Sequence, residues 1–219
     1  MSESSHAERS FQAQAFIGFV HGLKGVWRDS LYDNLVTEAR GTGANNVRDL
    51  EHTMAKSSQY TLYAWLERFT QQMSLHWRWG MYNELEPQME KLSAQLDEAT
   101  RQYPGRLNLD PDLPLPAYLT EPETHQYPGG LWKSDISGYV LEGHTEKSSF
   151  SMITPDRPLI WYAEFLRDKF APSRILDLGC ARARGTRELK RTMPNAEIHG
   201  CDLCGPILRL ANLRNIEED

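Results

Sequence analysis

Arg174-Ile175-Leu176-Asp177-Leu178-Gly179-Cys180-Ala181-Arg182-Ala183-Arg184-Gly185-Thr186 decides the fold, together with Ala196-Glu197-Ile198-His199-Gly200-Cys201-Asp202-Leu203 one helix later. An apolar run too short for a helix ends in Asp177, passes through small residues around Gly179 and Gly185, and enters a helix-compatible run from Thr186 to Met193. That is the order of strand, tight turn and helix. A second short strand, Ile198 to Cys201, ends in Asp202. The whole reads as a β-α-β unit with an acidic residue at the tip of each strand, the layout of a nucleotide-binding crevice. There, a turn of low bulk lets backbone N–H groups approach a ligand closely. A carboxylate at the end of the second strand can accept both hydroxyls of a ribose.

The run LDLGC, followed one helix later by HGCDL, resembles motif I and the post-I acidic motif of class I S-adenosylmethionine-dependent methyltransferases. The resemblance implies S-adenosylmethionine as cofactor and methyl transfer to a small-molecule acceptor. By the family's pattern Asp177 lies near the methionine amino end of the cofactor, and Gly179, Cys180 and Ala181 form the turn beneath it. Asp202 holds the ribose, and Leu203 lies beside the adenine. No catalytic residue and no metal ligand is implied. Ala181 stands where the family usually has glycine and Ala183 where it often does, so the turn carries two methyl groups. Gly185 falls off the usual spacing and is read as a turn or helix-entry glycine. A nicotinamide dinucleotide is the rival ligand, but the G-x-G-x-x-G fingerprint is absent.

The resemblance covers only about Pro155 to Asp219. The family's core has seven strands with substrate-side residues after the fourth, whereas this sequence supplies two strands and the following helix. The expected fold class is therefore α/β, an N-terminal all-helical domain followed by a partial Rossmann-like β-α-β methyltransferase core. Two parallel strands alone leave faces and edges uncovered. The expectation is a truncated or partner-completed enzyme, completed by a further chain or a homo-oligomer. The alternative is a non-enzymatic helical scaffold or oligomerisation protein with a vestigial nucleotide half-site.

Composition frames these readings. A chain of 219 residues with 40% hydrophobic and 25% charged residues is an ordinary globular balance rather than a disordered tail. The formal net charge of -6 argues against nucleic acid as the main partner, which would call for a basic excess. Arg182, Arg184, Arg187, Lys190 and Arg191 cluster on one short helix and read as a solvated face. No apolar run approaches a membrane span and no leader-like segment opens the chain, so a soluble, cytoplasmic protein is expected.

Three segments follow from the patterning: a helical domain over 1–104, a proline- and glycine-rich connecting strap over 105–154, and the nucleotide-type unit over 155–219. In the first, Phe16, Phe19, Val20 and Leu23 keep helical spacing, with Gly22 and Gly25 weakening the end. Further helices run from Trp27 to Ala39 and from Asn46 to about Lys56, and Leu62, Trp65, Leu66, Phe69, Met73 and Trp77 mark the strongest. Another contains Leu85, Met89, Leu92 and Leu96, with Pro87 in its first turn. The aromatic piece Leu75 to Tyr82 reads as core of this module.

In the strap, six prolines from Pro104 to Pro128 rule out a long helix, and the intervening leucines suggest an extended segment laid over another surface. Its turn His125-Gln126-Tyr127-Pro128-Gly129-Gly130-Leu131-Trp132 has two readings that the sequence leaves open. It either presents His125 or Tyr127 to a substrate or is a rigid turn anchored by Trp132. Cys180, Cys201 and Cys204 all lie in the nucleotide-type unit and form neither a disulfide framework nor a zinc set. His21, His52 and His76 likewise show no metal-type spacing.

Overall fold

The computed structural model describes residues 7, 9–76, 78, 80–121, 127, 129–147 and 157–218, with backbone alone for 144–147. The described chain is mostly helical with one two-stranded parallel sheet, a mixed α/β arrangement. Helix α1 (Phe11–Trp27) passes through a π-helical stretch (Arg28–Tyr32) into α2 (Asp33–Gly41). Then come α3 (Val47–Met54), α4 (Ser58–Leu75), the short α5 (Met81–Leu85) and α6 (Met89–Gln102). A 3-10 turn at Glu86–Gln88 joins α5 to α6 and takes up Pro87.

Side-chain caps start three of these helices. Ser10 accepts from the Ala13 N–H, Asn46 from that of Asp49 and Ser57 from that of Tyr60, each contributing about 1 kcal/mol. Ser10 also donates to Glu84 at 2.8 Å, fastening the start of α1 to α5. Helix α1 runs through Gly22 and Gly25, the residues expected to weaken its end. Its end is held by Glu67 of α4, which accepts from Lys24 Nζ and Trp27 Nε1, both at 2.9 Å. Two tertiary hydrogen bonds of this kind offset the roughly 1 kcal/mol that each helical glycine costs.

The aromatic stripe of α4 is not core. Leu62, Trp65 and Phe69 are exposed, with the Trp65 and Phe69 rings stacked at 5.2 Å. The Leu75 to Tyr82 piece does supply core where it is described: Leu75, Met81 and Tyr82 are buried. Trp77 and Trp79 lie outside the described residues.

After α6 the chain has no helix or strand from 107 to 116, turns at Asp110–Leu113, and makes one short turn of helix, α7 (Ala117–Thr120). The rest of the strap departs from expectation, because α8 (Ile136–Lys147) is a 12-residue helix at the centre of the protein. Packing explains its glycines. A Cβ on Gly138 would lie 2.9 Å from Leu210 Cβ and 3.0 Å from the Pro206 carbonyl oxygen; one on Gly143 would lie 2.1 Å from Met81 Cε. Glycine here lets helices on both sides close in.

The closing unit is α9 (Arg157–Phe170), β1 (Arg174–Leu178), α10 (Arg184–Thr192), β2 (Glu197–Cys201) and α11 (Gly205–Glu218). The β-α-β unit read from the sequence is therefore present. β1 and β2 pair in parallel, with Asp177 opposite Gly200 and Leu178 opposite Cys201. One sheet face, bearing Ile175 and Ile198, packs on a small core of Ala163, Leu189, Met193 and Ala196 from α9, α10 and the turn before β2. The other presents Leu176 and Leu178, 61% and 74% exposed. Nearby in sequence, α9 carries exposed Trp161, Phe165 and Phe170, whose rings contact one another.

The main core crosses the segment boundaries. Leu85, Leu92 and Leu96 of α5 and α6 meet Tyr139 and Val140 of α8 and Ile207, Leu210 and Leu213 of α11 in one buried cluster. The last helix of the nucleotide-type unit is thus anchored in the helical module. No helix among the described residues is long and apolar enough to cross a membrane.

Alanine is a better helix former than glycine, yet Gly138→Ala is expected to destabilise the protein by about 1–3 kcal/mol through overpacking against α11. Urea unfolding checks this; a stabilised variant would show that α8 and α11 do not approach so closely.

Candidate functional site

The ladder between the strands continues past Leu178 into the turn. The N–H groups of Gly179 and Cys180 both donate to the Cys201 carbonyl, at 2.8 and 3.0 Å. Ala181 N–H then donates to Asp202 Oδ2 at 3.0 Å, and Cys204 N–H to Asp202 Oδ1 at 2.9 Å. Each Asp202 oxygen therefore accepts one backbone bond, which fixes the carboxylate and leaves capacity on both oxygens. Across the unit, Thr186 Oγ1 donates to Asp177 Oδ2 at 2.6 Å, joining the tip of β1 to the first turn of α10.

The backbone of the turn has a distinctive alternation. φ is positive at Gly179 (76°), Ala181 (46°) and Ala183 (56°), and at neither residue between them. The alternation turns these N–H groups onto the protein itself: Gly179 and Cys180 donate to Cys201, Ala181 to Asp202, and Ala183 to the Cys180 carbonyl at 2.8 Å. Alanine pays a steric penalty of about 1–2 kcal/mol in this region. The alanine methyl groups lie against protein: Ala183 is buried, and the Ala181 side chain packs on the main core.

Two cysteines are tucked behind the turn. Cys180 fills the space left by Gly200, where a Cβ would sit 2.9 Å from its sulfur. Burial, then the negative charges of Asp202 and Asp177, push the Cys180 thiol up to about 11. Burial beside Asp202 also pushes Cys204 up to about 11. Both stay protonated at neutral pH and are packing groups rather than nucleophiles. Cys201 is exposed.

Beside Asp202 the strap stands off α11 and leaves a cleft of about 410 Å³, within the ~300–1,000 Å³ of small-molecule sites. Leu109, Leu113 and Leu115 of the strap form one wall with Trp132, and Asp202 and Leu203 form the other. Arg209 in the wall is already engaged, with Nη1 at 2.6 Å from Asp135 and a second contact to Asp97.

The structure therefore gathers Gly179, Cys180, Ala181 and Asp202 at one turn, and of these only Asp202, with Leu203, lines the cleft. Asp177 faces Thr186 and is not part of the cleft wall. Comparison with family models, with characterised proteins and with solved structures finds no match. The geometry alone carries the reading.

Several residues take roles the sequence did not suggest. Tyr127 is 2% exposed in the main core, and its hydroxyl is pushed well above the ordinary tyrosine range by burial. It is not presented to the cleft, and His125 lies outside the described residues. Gly130, with φ 83°, sits under the Trp132 indole, where a Cβ would lie 2.3 Å from the ring. Among the described residues, Gly130 against Trp132 fits a turn anchored by Trp132, and Tyr127 does not face the cleft. The basic cluster is a solvated face only in part: Lys190 and Arg191 are exposed, whereas the residues nearer the turn are not. Arg182 is 6% exposed, Arg187 pairs with Glu218 at 2.9 Å, and Lys190 donates to the carbonyls of Pro194 and Ala196. Only long-range partners such as Glu142 and Glu218 distinguish these arginines from surface ones.

Because position 181 has a positive φ, glycine there is expected to change stability by no more than about 1 kcal/mol, as strain relief opposes chain entropy. Ala181→Val is expected to cost about 1–3 kcal/mol. Thermal unfolding of the pair checks this; equal tolerance of valine would contradict the left-handed turn. In alkylation at pH 8, Cys201 is expected to react at least tenfold faster than Cys180 and Cys204, read by peptide mass spectrometry.

Proposed function

We propose that this chain is the cofactor-binding part of an S-adenosylmethionine-dependent methyltransferase acting on a small-molecule acceptor. The observation that carries the proposal is the backbone at 179, 181 and 183. All three positions adopt the left-handed form at the end of β1, although alanine occupies two of them. A chain keeps that strain where the turn's shape matters. In this reading the resemblance of LDLGC and HGCDL to the family's motifs and the geometry of the turn support each other.

The residues present fit the group. Asp202, held by two backbone N–H groups, keeps acceptor capacity for the two hydroxyls of a ribose. Leu203 and the strap leucines give the neighbouring cleft apolar walls suited to a flat heterocycle. Asp177, fixed by Thr186, is the carboxylate for a cationic amino end. The cofactor, when bound, supplies an electrophilic methyl group on a sulfonium. The chain's share is positioning, which in bimolecular transfers accounts for much of the rate. Its buried Cys180 and Cys204 thiols remain protonated, so neither competes as a methyl acceptor at the site.

The exposed Leu176 and Leu178 bear on completeness. Parallel sheets are ordinarily covered on both faces, and this one is covered on one. We propose that further β-α units, from additional chain or from a partner, cover that face in the active enzyme and bring the acceptor-side residues. The second reading, a helical scaffold with a vestigial half-site, draws on the exposed stripe of α4, Leu62, Trp65 and Phe69, as a contact surface.

Calorimetric titration separates the two. Micromolar binding of S-adenosylmethionine but not NAD, weakened at least tenfold by Asp202→Ala, is the expected outcome. A protein that is folded by circular dichroism yet binds neither ligand favours the scaffold.

A further inference from the structure

The turn between Ala181 and Ala183 is tied to the helical module by a buried charge cluster that the β-α-β unit alone would lack. Arg182, Glu142 and Arg214 are 6%, 8% and 5% exposed. Glu142, on α8, takes a bidentate pair from α11, with Arg214 Nε donating to Oε1 at 2.8 Å and Nη2 to Oε2 at 2.7 Å. The same carboxylate lies 3.6 Å from Arg182 Nη1. Arg214 also donates to Glu217 at 2.7 Å. The main chain of Arg182 is held as well, because Arg187 Nη1 donates to its carbonyl at 2.8 Å.

Alanines at 181 and 183 disfavour the left-handed conformation they adopt, and a strained segment persists only where its surroundings over-determine it. Arg182 is the residue between them. A buried guanidinium cannot shed its proton, so it keeps its seat only while an anion is there to compensate it. Glu142 is that anion.

We propose that Glu142 is a positioning residue for the cofactor turn, acting through Arg182 to hold residues 179–183 in ligand-ready form and making α8 of the helical module part of the nucleotide site. The affinity side of this inference rests on the methyltransferase reading above; the conformational side does not. It follows that the helical module takes part in shaping the turn. Separating it from the β-α-β unit releases the turn.

The test compares Glu142→Gln with Leu96→Ala in the full chain. The first keeps the shape of the side chain and removes its charge. The second destabilises the same core from α6 without removing any charge beside Arg182, and serves as a matched loss of melting temperature. Hydrogen exchange without ligand is read first. Glu142→Gln is expected to raise exchange at Ala181 and Ala183 at least tenfold over Leu96→Ala, with the β1 and β2 amides unchanged relative to it. Equal exchange in the two variants overturns the proposal whatever the ligand results.

Titration with S-adenosylhomocysteine is read second. Affinity is expected to fall at least tenfold in Glu142→Gln and to hold within twofold in Leu96→Ala. Wild-type-like binding by Glu142→Gln overturns the positioning role. Absence of binding by the wild-type chain, with the exchange difference present, overturns the cofactor reading and leaves the anchoring of the turn established.

Discussion

The rest of the structure depends on the close approach of α8 to α11. Gly138 removes the side chain that would hold the helices apart, Leu210 fills the space at 0% exposure, and the Glu142–Arg214 pair closes the same interface with charge. Everything else is hung from that contact. On one side α5 and α6 complete the core through Leu85, Leu92 and Leu96; on the other, α11 leads directly back to Asp202 and the turn. The sheet itself is small, and its stability is borrowed from this helical core.

That dependence explains how a two-stranded parallel sheet can present an ordered site. A strand pair of five residues each has little to hold it. Here the ladder extends through the Gly179 and Cys180 N–H groups, Asp202 locks the turn from the far strand, and Arg182 locks it from the helical module. The geometry of the turn is therefore set by three separate anchors rather than by the sheet. Leu176 and Leu178, exposed on β1, belong to none of them.

The sequence was most legible where local chemistry decides. Short apolar runs ending in Asp177 and Asp202, with small residues between, place the strands, turn and helix nearly as observed, and Asn46 marks a real helix start. It was least legible where distant partners decide. α8 reads as part of the strap because Leu210 and Met81, against which its glycines pack, lie more than fifty residues away in the chain. Arg182 and Arg187 read as surface charge because Glu142 and Glu218 are likewise remote. The stripe on α4 has the period of a core helix yet faces outward, since periodicity reports that a face is apolar and not what covers it. Within the site, Asp202, Gly179 and Ala181 could be named in advance. The contributions of Thr186, Gly200 and the strap leucines could not, because each depends on a contact that only the folded chain makes.

The most direct test of the central claim, that the turn and the strap cleft form one preorganised nucleoside site, is an amide-resolved NMR titration of the chain with S-adenosylhomocysteine. The account expects shifts confined to Gly179–Ala183, Asp202–Cys204 and the strap around Leu109–Leu115, with the α1–α4 amides unmoved. Shifts confined to other elements, or none at millimolar ligand, would contradict it.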